Sequence, residues 1–185
     1  PTVTGVRSIE LQASNAVAIS RSPFTFASQV HAYSGQMWSA SLTLPPMKLT
    51  AARQWTAWLT SLRGQYGSFL LGDTSCCQIS GTATSAIVNG SAGDNTVNVT
   101  TVGTILAGDM IQISTGADAT LHKVLADRSG SGSLEIWPAL RKDRASIALT
   151  FTNAKGAFRL ASNEVSWSVD EANIYGISFS AVEKI

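Results

Sequence analysis

The chain has 185 residues, enough for one domain with a real core or two small ones, and 44% of them are apolar, which excludes a disordered polymer. Charged residues make up only 14%, well under the roughly 25% of an average soluble protein, and Ser, Thr, Ala and Gly fill the gap. A formal net charge of +1 leaves no Lys/Arg stripe to neutralise many phosphates, which excludes a polyanion binder that works by bulk electrostatics.

In chain order the first feature is the opening Pro1-Thr2-Val3-Thr4-Gly5, which lacks the basic and apolar regions of a signal peptide. No apolar run approaches the roughly 20 residues needed to cross a bilayer. The expected setting is a cytoplasm, with the initiator Met removed; export by lysis rather than by secretion would look the same. Ile9, Leu11 and Ala13 alternate as in a strand, and Val17 and Ile19 as in a second, with a turn expected at Asn15. The stretch from Phe24 to Tyr33 alternates weakly and its pairing is open. Trp38, Ala40, Leu42 and Leu44 alternate with Met37, Ser39, Ser41 and Thr43, as in a half-buried strand. Pro45-Pro46 closes it, since proline cannot donate to a ladder.

The period then changes. Trp55, Trp58, Leu59 and Leu62 fall at helical spacing, which predicts one helix over about Thr50–Arg63, capped by Thr50 and ended at Gly64. Its tryptophans read as packing against a sheet rather than as a sugar or cofactor platform. Phe69-Leu70-Leu71 follows as a short buried strand stopped by Gly72-Asp73.

From Thr74 to about Lys155 the texture shifts to short strands separated by Gly, Ser and Asp turns. Strands are expected around Ala86–Val88, Thr96–Thr100, Met110–Ser114, Leu121–Leu125, Leu134–Trp137 and Ile147–Phe151. This pattern reads as a small barrel or sandwich. Beyond it, Val165, Trp167 and Val169, then Tyr175, Ile177, Phe179 and Ala181, return to long half-buried alternation. The expected fold is therefore mainly β with one α-helix: a discontinuous sandwich domain, residues 1–72 and 156–185, with a small β-barrel-like domain, residues 73–155, inserted in it.

Residues that could carry chemistry do not converge. His31 and His122 stand apart from any spaced metal-ligand set and read as solvent-facing strand histidines. Adjacent Cys76 and Cys77 read as reduced apolar fillers, since a bridge between neighbours strains the peptide. Asp73, Asp109 and Asp127 lie beside turn glycines or strand ends, where an Asp caps a turn more often than it serves as an acid. Neither a nucleophile elbow nor a phosphate-cradling loop ahead of the helix occurs. The sequons at Asn89 and Asn98 carry no meaning without a secretory signal. No cofactor, metal or catalytic residue is expected. Arg141, Lys142 and Arg144, with Asp143 among them, form a small basic cluster: either a solvated turn or, as the candidate interface, a polar contact with an acidic neighbour.

The runs Trp55-Thr56-Ala57-Trp58-Leu59-Thr60-Ser61-Leu62-Arg63-Gly64 and Tyr66-Gly67-Ser68-Phe69-Leu70-Leu71-Gly72-Asp73 are similar to runs in the tail-tip proteins of long-tailed bacteriophages. So are Leu106-Ala107-Gly108-Asp109-Met110-Ile111, Leu134 to Arg141, and Gly156-Ala157-Phe158-Arg159-Leu160 followed by Trp167 and Val169. In this order they resemble the distal tail proteins, across roughly two-thirds of the chain. The resemblance implies a non-enzymatic ring subunit, usually a hexamer, whose belt domain surrounds the DNA channel. The ring joins the last tail-tube ring to the baseplate hub in the virion and is assembled in the host cytoplasm, and DNA passes without specific binding. A second β domain projects outward. No long receptor-binding module follows, so host recognition is not expected. A carbohydrate-binding module reading through Trp137, and a tail-tube or tail-terminator subunit, are the alternatives, with an unrecognised hydrolase behind them.

Overall fold

The structure, a computed structural model, describes residues 5–73 and 78–185. Expectations for Pro1–Thr4, Cys76 and Cys77 lie outside the described residues. Strands β1 (Ser8–Arg21), β2 (Ser28–Thr43) and β3 (Met47–Lys48) lead into helix α1 (Leu49–Ser61) and strand β4 (Phe69–Leu71). Next come β5 (Ala86–Gly90), β6 (Thr96–Thr101), β7 (Thr104–Ile105), β8 (Met110–Ile113), β9 (Thr120–Val124), β10 (Arg128–Ser129), β11 (Gly132–Trp137) and β12 (Arg144–Thr150). The last three are β13 (Gly156–Leu160), β14 (Trp167–Val169) and β15 (Ile174–Glu183).

The fold is mainly β, with a single α-helix among the described residues and a closed six-stranded barrel. A seven-stranded sheet runs β1-β2-β15-β13-β4, with β3 and β14 also paired to β15. The barrel closes in the order β11-β6-β5-β12-β8-β9, and β7 pairs β10 in a separate ribbon. The chain leaves the sheet from β4 and returns on β13, and these two strands are antiparallel neighbours. Gly72 sits at this exit, where a Cβ would collide with the Ala154 carbonyl.

Strand register sorts the sheet into two faces. Ile9, Leu42 and Phe179 lie opposite one another, as do Leu11, Ala40 and Ala181. This apolar face is the core side. One half is covered by α1, through Ala52, Trp55, Leu59 and Leu62. The other half is covered by the outside of the barrel, where Met110, Leu121 and Trp137 pack on Trp38, Leu71 and Phe158. The barrel has its own core, including Val88, Val97, Ile111, Ile113, Leu134 and Ile136. The other face of the sheet is hydroxylic: Ser8, Thr43 and Ser178 align, as do Glu10, Ser41 and Ser180.

Four local expectations are corrected. No turn forms at Asn15; β1 runs through it, and a register slip between Asn15 and Val17 absorbs the mismatch with β2. The Asn15 side chain instead accepts the Trp137 indole N–H at 2.7 Å, so it does not bond its own backbone in a turn. Thr50 is not the helix cap. Met47 and Lys48 pair with Tyr175 and Ile174, so the chain enters the helix straight from a strand, and Lys48 caps without a side-chain bond. At the other end the turn falls on Arg63 and Gly64, both left-handed at φ 52° and 67°. Trp167 and Val169 form a strand, but both are exposed, because α1 does not extend over that corner of the sheet. The stretch from Phe24 to Tyr33, left open by its weak alternation, closes a hairpin: β2 starts at Ser28 and pairs with β1. His122, the fourth correction, belongs to the site described next.

Candidate interaction surface

The barrel and the sheet are locked at the end of β15. Glu183 lies opposite Phe158, which places its carboxylate on the apolar face. It is only 4% exposed and must therefore be paired. Arg141 reaches it from the loop after β11, with Nη2 2.7 Å from Oε2 and Nε 3.2 Å from Oε1. The Trp38 backbone N–H donates to the same carboxylate at 3.1 Å. Arg141 Nη2 also donates to the Gln36 carbonyl at 2.6 Å, and the Gln36 side chain accepts from Ala139 N–H at 2.7 Å. The Trp38 indole N–H donates to the Leu121 carbonyl at 2.9 Å, and its ring meets Trp137 edge-on at 4.6 Å.

The basic cluster thus divides. Arg141 and Arg144 both find acidic partners within the chain. Arg144 is nearly buried and donates from Nη1 to Asp118 Oδ2 at 2.8 Å, while Lys142 Nζ donates to Asp118 Oδ1 at 2.6 Å. The Lys142 ammonium and then the Arg144 guanidinium hold the Asp118 carboxyl down at about 2. Of the three cations, Lys142 alone keeps most of its side chain, 66%, open to solvent. Asp143 accepts from Ala92 N–H at 2.8 Å and closes the loop against β5.

His122 is not solvent-facing but fully buried. It stands opposite Ile111 on β8, so it points to the barrel interior. The Pro138 carbonyl can only accept, so Nδ1 carries the proton in the 2.7 Å contact, and Nε2 accepts from Thr120 Oγ1 at 2.8 Å. Burial lowers its pKa to about 4, against a rise from the Pro138 bond and assisted by the charges of Arg141 and Arg144. A neutral histidine with both nitrogens engaged is a structural pin. Asp109 does cap a turn, accepting from Leu106 N–H at 2.9 Å, and also from Ser80 N–H at 2.7 Å.

The open surface lies elsewhere. Past Asn15 and Gln36 the β1–β2 hairpin leaves the body and is exposed along its length. Val17 lies opposite Ala32, and Ile19 opposite Val30, on the same side of β1 as Ile9 and Leu11. The core face therefore continues onto this arm, and among the described residues nothing covers it. Phe24 and Phe26 stand at its tip, 91% and 67% exposed. Periodicity in the sequence showed Val17 and Ile19 as strand, but could not show that neither helix nor barrel reaches them. On the hydroxylic face, Ser41, Thr43, Ser178 and Ser180 line a groove of about 370 Å³ beneath residues 160–166.

Among the described residues no group of three His, Cys, Asp or Glu could hold a metal ion. No helix there is long and apolar enough to cross a membrane. Within the barrel segment Trp137 is half-buried against Trp38, and Phe151 is buried, so neither presents an open ring for a sugar to stack on. No protein-family model matches the chain, and no curated protein matches it significantly.

Proposed function

We propose that the chain is a non-enzymatic structural subunit that closes a ring of identical copies at the distal end of a long-tailed phage tail, between the tail tube and the baseplate hub. The observation that carries this reading is the state of the sheet's borders. Among the described residues β1 is a 14-residue edge strand with one side unpaired, and β14 leaves another open border across the sheet. Such edges invite pairing with another chain, and a closed ring satisfies every one of them at once. The ordered runs that resemble distal tail proteins supply the setting, the virion.

Two further features support it. The barrel hangs off one side of the sheet, as a projecting domain would. The hydroxylic face carries Ser8, Ser39, Ser41, Thr43, Ser178 and Ser180 with little charge, a wall past which a polyanion slides without sticking. A hexamer is the expected closure, and DNA is a passenger rather than a ligand.

Electron microscopy of the purified chain, with light scattering after size exclusion, tests the reading. Rings with a central hole, able to bind tail-tube and hub proteins, are the expected result. A monomer at high concentration that binds neither protein overturns it. Labelling within intact particles separates a distal position from a tail-tube or terminator one.

A further inference from the structure

We infer that the β1–β2 arm of one copy seats its apolar face on the β14 corner of the next copy. This rests on the ring reading and specifies which surfaces join. Val17, Ile19, Phe24, Phe26 and Val30 are all more than 45% exposed. Together they leave on the order of 600 Å² uncovered, most of the roughly 800 Å² that each partner gives a standard specific interface. A patch larger than the few hundred Å² usual on a monomer marks a contact surface. A two-stranded hairpin is also marginal alone in water, so this arm is stabilised once something covers it.

The chemistry narrows the occupant. Between Leu11 and Gln36 the sequence holds a single charged side chain, Arg21, and that is turned onto the Phe26 ring at 5.1 Å. A nucleic acid finds one cation there, too few to neutralise a run of phosphates. A bilayer is no better, since the arm's unpaired strand edges would lie in hydrocarbon without partners. What fits is a protein surface with an open strand edge and apolar side chains beside it.

The chain itself carries that surface. Trp167 and Val169 lie opposite Ile177 and Tyr175, on the core side of the sheet, yet they are 46% and 49% exposed. Among the described residues strand β14 pairs only with β15, which leaves its outer edge open there. The register sets the two surfaces at opposite corners. The arm lies past the Asn15 end of β1, and β14 lies past the Ser178 end of β15 on the far side of the sheet. One copy cannot bring its own corners together. Joining unlike patches head to tail is a heterologous contact, and repetition closes it into a ring when the rotation permits.

The test places the photo-crosslinking amino acid p-benzoylphenylalanine at Phe26 and irradiates a mixture of ¹⁴N- and ¹⁵N-labelled protein. A heavy–light cross-link between the arm and the tryptic peptide Leu160–Lys184 is expected. In parallel, Val17→Ser with Ile19→Ser, and separately Trp167→Ser, weaken self-association at least tenfold at unchanged melting temperature, because these side chains are exposed. Multimers whose cross-links map elsewhere, or whose association the variants do not weaken, overturn this contact and leave the ring. A chain that stays monomeric at every concentration overturns both.

Discussion

Arg141 holds Glu183 by two bonds, from Nη2 and from Nε, across the seam where barrel meets sheet. The carboxylate is 2% exposed and the guanidinium 14%, so water screens little of the pair. Such a pair costs desolvation on both sides, and its value lies in fixing one relative placement of two β units. Every other polar contact at the seam, from Gln36, Trp38 and Asn15, depends on that placement.

Removing one partner leaves the other charged and buried. Glu183→Ala or Arg141→Ala is expected to cost about 3–5 kcal/mol in urea unfolding at pH 7. The double replacement Arg141→Met with Glu183→Leu restores most of the loss, since two apolar groups leave no orphan charge. Single variants within about 1 kcal/mol of the parent, on the scale of exposed pairs, would show the seam to be held by packing alone.

His122 gives the fold an acid limit. The folded state keeps it neutral down to about 4, whereas the unfolded chain protonates from about 6.5. Below pH 6.5 the unfolded state binds the extra proton, so stability is full above that value and falls as pH drops toward 4. Over that window the loss is on the order of 3 kcal/mol. His122→Asn removes this slope. Asp118 acts lower and with the usual carboxylate sense, its contribution present above about 4 and lost toward 2. Urea midpoints measured at pH 7, 5.5 and 4.5 check the sign, and a parent protein no weaker at 4.5 than at 7 would contradict it.

Alternation and helical spacing made the strands and the helix legible, because each element has one buried face. Trp38, Ala40, Leu42 and Leu44 are all buried, as their spacing requires. His122 was illegible because β9 is covered on both faces, by the barrel core on one and the sheet on the other, so polarity no longer marks an outward position. The same limit hid the Arg141–Glu183 pair, whose members stand 42 residues apart. The arm failed differently. Val17 and Ile19 look like core from their period, and only the extents of α1 and the barrel decide that they are uncovered.

Trp38 ties the layers by its indole. Trp38→Phe deletes the N–H that satisfies the buried Leu121 carbonyl and weakens the edge-on contact with Trp137. A buried carbonyl left without its donor costs about 1–3 kcal/mol, and an aromatic pair of this geometry adds about 0.5–1.5 kcal/mol. A drop in urea midpoint with unchanged slope is the expected reading, since the surface exposed on unfolding stays the same. A variant as stable as the parent would mean that Leu121 finds another donor.

Gly72 is the point where the chain leaves the sheet for the barrel, and β4 and β13 run side by side there. Its need for glycine is one of space rather than dihedral angle: the obstructing atom is the Ala154 carbonyl oxygen, part of a backbone that cannot swing aside. Gly108 offers the opposite case, with φ at +94° and nothing near the missing Cβ. Gly108→Ala therefore carries only the left-handed penalty, about 1 kcal/mol. Gly72→Ala must push the two strands apart and strain the seam that Arg141 and Trp38 close, so its cost is expected to exceed about 3 kcal/mol. Melting temperatures of the two variants side by side test the distinction. Equal shifts would mean that the exit from β4 is loose enough to yield, and that the barrel is not held to the sheet at this point.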